Sequence, residues 1–163
     1  MGEAKRAIDI QLEFLRQELD HIAGSIGRID EITQATKNWA IVTWAGSIAL
    51  VFGESGAQLQ PLVSATGLIP LVFWLIDAWW RRIQRSMGYR GERISEFLNS
   101  DDLEASLEKG RLVNFTVYDP RARQYRDKVK YERYRSSAKT MLYREVAFFY
   151  AGLVAISILL GIV

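Results

Sequence analysis

Cysteine is absent from this 163-residue chain, and histidine occurs once. Without cysteine there is no disulfide framework, no thiol nucleophile and no thiolate metal site. A single histidine removes metal centres built on histidine clusters. Neither Gly-x4-Gly-Lys-Ser/Thr nor Gly-x-Gly-x-x-Gly occurs, so the usual backbone cradles for nucleotide phosphates are missing too. The first 36 residues carry charges of both signs and no compact apolar stretch, which argues against a cleaved secretory signal. Arg6 stands where N-myristoylation needs Ser or Thr. On these grounds no catalytic residue, cofactor-binding residue or metal ligand is assigned, and the chain reads as a non-enzyme without a cofactor.

Basic residues are missing from one region in particular. The mean hydropathy of −0.02 looks ordinary for a soluble protein, but only because charge and apolarity are segregated and cancel. Uncharged runs cover Asn38–Gly53, Ser55–Ile76 and Val146–Val163, while all 21 Lys and Arg fall in Gly2–Lys37 or Arg81–Glu145. A helix needs about 20 apolar residues to cross roughly 30 Å of hydrocarbon. The first run has 16 residues, so it must cross nearly perpendicular or borrow polar neighbours as caps. The connection Gly53–Pro61 holds one acid, no base and the Gly/Pro content of a tight turn. The positive-inside rule then predicts a multi-pass protein of a bacterial inner membrane with a cytoplasmic N-terminus and a periplasmic C-terminus. Trp39, Trp79, Trp80, Phe148, Phe149 and Tyr150 mark the inner interface, where amphipathic rings settle.

The predicted organisation is all-α and integral to the membrane, with three transmembrane helices and a small cytoplasmic helical domain. Residues 1–37 form a long N-terminal amphipathic, coiled-coil-like helix, 38–82 a transmembrane hairpin, 83–145 a basic cytoplasmic domain and 146–163 a C-terminal transmembrane helix. Ile8, Leu12, Leu15, Leu19, Ile22, Ile26 and Ile29 repeat at alternating spacings of four and three, a heptad seam. Leu at a and Ile at d favours three or four strands, so these seven residues are expected to mediate homo-oligomerisation. The alternative is one amphipathic helix lying on the membrane or against its own basic domain. Nothing between Gly27 and Trp39 stops this helix, which is expected to run on into the first span.

Small residues recur in every run: Ala45, Ala49 and Gly53 in the first, Ser64, Thr66 and Gly67 in the second, Ala151, Gly152 and Ala155 in the third. Such residues permit close helix contact, and Pro70 should kink the second run. Thr43 and Ser47 can bond to neighbouring helices or to their own backbone. Asp77 is an acid at a membrane edge, expected to pair with Arg81 or Arg82.

The basic domain holds 16 basic and 10 acidic residues. The second run should continue as a helix to Leu98, and Asp101 with Glu104 should open a short helix that Gly110 ends. Leu112–Tyr118 alternates apolar and polar residues and reads as an extended segment, a candidate strand to pair with a copy from another subunit, and Asp119-Pro120 turns the chain into a long helix from Arg121 to the third span. Arg121, Arg123, Arg126, Lys128 and Lys130 are interleaved with tyrosines. That mixture suits nucleic acid, and it equally suits anionic lipid just inside a span. Anionic lipid is the expected partner, together with self and a cytoplasmic protein; nucleic acid is not expected.

Arg16 and His21 match the loose Arg-x4-His ribonuclease signature of HEPN proteins, though without other residues of that family. The charged N-terminal helix, the in–out–in hairpin and the stretch Phe73-Trp74-Leu75-Ile76-Asp77-Ala78-Trp79-Trp80-Arg81-Arg82 carry a further resemblance. The layout resembles small bacterial membrane proteins of the RipA-like octameric type and, more distantly, the SLATT effectors of antiphage systems. That resemblance implies a ring-forming or pore-forming assembly linked to phage defence, and it carries over no active-site residue. The C-terminal span departs from the two-span pattern of many SLATT members. The expected function is thus a homo-oligomeric pore or membrane-perturbing effector, with a non-conducting scaffold or anchor as the alternative.

Overall fold

A computed structural model describes residues 2–53, 62–125, 131 and 136–162, and every regular element among them is helical. Helix α1 spans Gly2–Phe52, 51 residues without a proline, so no missing N–H interrupts its ladder. It passes unbroken from the heptad seam into the first apolar run. A 3-10 turn at Ser64–Gly67 leads into α2, Leu68–Leu98. Pro70 is therefore the third residue of a helix and does not kink the run, because a first-turn residue has no intrahelical N–H bond to lose. Helix α3, Asp101–Lys109, ends on Gly110 in the left-handed conformation at φ 64°. Its N-cap is Ser100 rather than Asp101, and the Ser100 hydroxyl donates to the Phe97 carbonyl instead of capping.

Beyond Gly110 two expectations fail. No strand forms among the described residues. Asn114 and Tyr118 have positive φ, and a chain kinked into that region twice within five residues cannot hold a straight edge for pairing. Nor does a long helix start at Arg121. Asp119 accepts the backbone N–H groups of Arg123 and Gln124 at the 3-10 turn Arg123–Tyr125, and the expected helix at 126–130 and 132–135 lies outside the described residues. Ser136 is extended and caps the five-residue helix α4, Ser137–Met141. After Leu142 and Tyr143, α5 runs Arg144–Ile162.

The chain divides into two compact units. Met1–Arg28 with Ile83–Arg135 forms the first, and Ile29–Arg82 with Ser136–Val163 the second. α1 and α2 thus each contribute to both. In the first unit Tyr89, Ala122, Tyr125 and Tyr131 cluster, with the Tyr89 ring 5.5 Å from Tyr125 and 5.3 Å from Tyr131. In the second unit Ala40, Val146 and Tyr150 pack against Phe73, Trp74 and Phe149.

Candidate functional site

The seam residues of α1 divide cleanly. Ile8, Leu15, Ile22 and Ile29, the d positions, are buried within the single chain, while Leu12, Leu19 and Ile26 are half-buried. Burying such a side chain contributes roughly 1.5–3 kcal/mol, so much of the seam's driving force is spent inside one chain. In the first unit that same face carries Glu18, a charge the apolar spacing passes over. Its carboxylate meets the Arg90 guanidinium at 2.8 Å and 3.0 Å, and both side chains are fully buried.

Every neighbour of this pair is engaged. Glu18 also accepts the backbone N–H groups of Tyr118 and Asp119, both at 2.8 Å. Arg90 also donates to the Tyr125 hydroxyl and the Thr116 carbonyl, and stacks over the Phe115 ring at 4.5 Å. Burial alone disfavours the charged guanidinium, but the hydrogen bond and charge of Glu18, joined by Tyr125, reverse this and hold its pKa above the ordinary value. Both carboxylate oxygens and four of the five guanidinium N–H groups are thus taken up within the protein. Arg16 and His21 are exposed on α1 and are not joined by a hydrogen bond among the described residues. Among the described residues no three His, Asp or Glu come together as metal ligands.

The second unit is built the other way round. Of the 24 large hydrophobic side chains exposed among the described residues, 19 belong to it, and only Ile10, Phe14, Leu98, Leu107 and Tyr118 to the first. One described helix, α5, is long and apolar enough to cross a membrane; its mean hydropathy is 2.1 and it is only 17% buried. The uncharged end of α1, Asn38–Phe52, is helical but covers only about 22 Å at 1.5 Å per residue. The second run enters its helix only at Leu68, so neither of these two passes as a full-length span.

The Ser157 and Thr66 hydroxyls of this apolar unit are hydrogen-bonded. Trp44 Nε1 donates to Ser157 Oγ at 2.7 Å, and Ser157 in turn donates to the Leu153 carbonyl. Thr66 donates to the Val63 carbonyl and lies 3.4 Å from the same Ser157 oxygen. Here the turn at 64–67 touches α5. A Cβ on Gly67 would stand 3.3 Å from Ser157 Cβ, and one on Gly161 would run into Ser64. The close-contact residues of α5 are therefore Ser157 and Gly161. Gly152 faces open space and Ala151 and Ala155 are exposed, as are Ala45, Ala49 and Gly53 of the first run. Ser47 donates to the Thr43 carbonyl, its own backbone.

Asp77 lies fully buried, and Arg81 is its partner, with Nε 3.2 Å from Oδ1 across one helical turn. Among the described residues its other oxygen, Oδ2, accepts no hydrogen bond of normal geometry, and the buried Tyr150 hydroxyl makes none either. The two interact electrostatically without reaching hydrogen-bond geometry. Lys37 adds a second positive charge near the carboxylate and stacks 5.8 Å from the Phe149 ring. Beside this cluster a recess of about 330 Å³ is lined by Arg81, Tyr143, Arg144, Glu145 and Val146. No family model matches this chain, and no curated protein or solved structure does either.

Among the expected lipid-contact residues Arg121 and Arg123 are exposed, while Arg126, Lys128 and Lys130 lie outside the described residues. The Glu18–Arg90 pair was invisible to sequence reading, because its members stand 72 residues apart. The recess was missed as well, although Arg81 beside Asp77 was the available signal.

Proposed function

We propose that this chain is an integral membrane protein of a bacterial inner membrane that self-associates and perturbs the bilayer, as a pore or a membrane-active effector of the RipA-like or SLATT-like kind. The observation that carries this reading is α5: uncharged from Val146 to Ile162, yet only 17% buried. A core helix of a soluble protein would be covered by its own fold, and exposed apolar surface on this scale calls for lipid or another protein. In this reading α5 crosses once, covering about 28 Å as a 19-residue helix. The arms at 38–52 and 62–76 form the hairpin, with Trp39 and Trp79–Arg82 at its inner edge. The basic stretch is then cytoplasmic. Self-association is supported by the exposed small-residue face Ala45, Ala49 and Gly53, which lets a second helix backbone approach.

The anchor reading keeps one supporting observation. The first unit is closed by the Glu18–Arg90 network, and Arg121 and Arg123 are exposed on it for a partner. Reconstitution decides between the two. Purified chain in dye-loaded vesicles of bacterial lipid composition should release dye; intact vesicles at high protein load would leave the anchor. The membrane reading itself is checked by carbonate extraction of cell membranes, which should leave the chain in the pellet. Alkaline-phosphatase fusions should be active after Val163 and silent after Lys109.

A further inference from the structure

We infer that the recess at the start of α5 holds the head group of a membrane phospholipid, one that carries a phosphodiester and a primary ammonium. This rests on the membrane reading above and assigns a ligand to the edge of the same unit. Arg81 supplies the first half of the site. Its Nε is tied to the buried Asp77 at 3.2 Å, which fixes the plane of the guanidinium, while Nη1 and Nη2 make no hydrogen bond among the described residues. The side chain is about one-fifth exposed. A guanidinium held in place with one edge open is a ready fork for two phosphate oxygens.

Arg144 supplies the second half. It is exposed, makes no hydrogen bond or ion pair among the described residues, and opens α5. A cation at that end of a helix meets the positive end of the macrodipole, so the position is unfavourable until an anion joins it. Glu145, next in the chain and also exposed, brings one carboxylate into the same recess. Two guanidinium groups and one carboxylate match a phosphate carrying an ammonium on a short tether. Below the recess the helix presents Phe148, Ile156 and Leu159, at 80%, 43% and 63% exposure. A soluble phosphoester has no use for such a face, whereas two acyl chains do, which commits the site to a lipid.

The test uses the full chain in nanodiscs of phosphatidylethanolamine and phosphatidylglycerol at equal mole fraction, released into a native mass spectrometer. Wild type should retain phosphatidylethanolamine in preference. Arg144→Gln, at an exposed position, should lower that retention at least fivefold without unfolding the chain, and adding Arg81→Gln should abolish it. Glu145→Gln should keep a lipid bound but shift the preference toward phosphatidylglycerol. Wild-type retention by Arg144→Gln, or a glycerol preference in the wild type, overturns the site. A chain that resists carbonate yet retains no lipid overturns the site alone; one that carbonate releases overturns the membrane reading beneath it.

Discussion

The two units each bury an acid against an arginine, and the two pairs differ in nearly every respect. Glu18 and Arg90 come from different helices, 72 residues apart, and neither has any exposed surface. Asp77 and Arg81 are one turn apart on a single helix, and the arginine stays about one-fifth exposed. In the first unit four further protein groups enclose the pair; in the second a carboxylate oxygen and two guanidinium nitrogens make no hydrogen bond among the described residues. A saturated pair fixes a fold, and an open one has donors left for a ligand. The surfaces follow the same division, with polar cover on the first unit and apolar side chains on the second.

The strongest way to break this contrast is Glu18→Ala. It leaves Arg90 charged and buried and strands the N–H groups of Tyr118 and Asp119, which should cost about 3–5 kcal/mol. Urea unfolding of the detergent-solubilised chain, followed by near-ultraviolet dichroism of the tyrosine cluster, measures it; a shift under about 1 kcal/mol would mean that the network is dispensable. Next comes Gly161→Leu, which drives a side chain into Ser64 and should cost about 1–3 kcal/mol through overpacking. Thermal unfolding with Trp44 fluorescence as the local readout follows it, since Trp44 bonds to Ser157 in the same contact.

Asp77→Asn should cost less, within about 1 kcal/mol, because the amide still accepts from Arg81 and its nitrogen replaces an oxygen that has no donor. A loss as large as that of Glu18→Ala would erase the distinction between closed and open pairs. Ala49→Leu should do least to stability, within about 0.5 kcal/mol at an exposed position. Its effect belongs to assembly: the detergent-solubilised particle should lose mass by light scattering. Unchanged mass would move self-association away from the small-residue face.

Local pattern made part of this legible. The unbroken α1 follows from the lack of any stop after Gly27, and the end of α2 at Leu98 and of α3 at Gly110 follow from chain chemistry alone. The Asp77–Arg81 pair follows from helical spacing. What covers an apolar face is a different kind of question. A heptad says that Ile8, Leu15, Ile22 and Ile29 leave water, but the same spacing serves a second copy or the chain's own α2. The small residues show the same limit, since Ser157 and Gly161 make the close approach while Gly152 faces open space. Sequence alternation misread the segment after Leu112, where Glu18 draws the backbone N–H groups of Tyr118 and Asp119 together and Tyr118 turns left-handed. A remote carboxylate overrode the local pattern there.

The separation of Glu18 from its partners also sets an order of events. Chains grow at about 5–20 residues per second, so Arg90 emerges roughly 4–14 s after Glu18, and the backbone donors at Tyr118 and Asp119 later still. Throughout that interval the carboxylate sits on the apolar face of α1 without the partners that later enclose it. The carboxylate keeps that face soluble while its neighbours are still being made. The first unit can close only once the loop after Leu112 has left the ribosome, so its tertiary fold is completed after α1 and α2 have both been made.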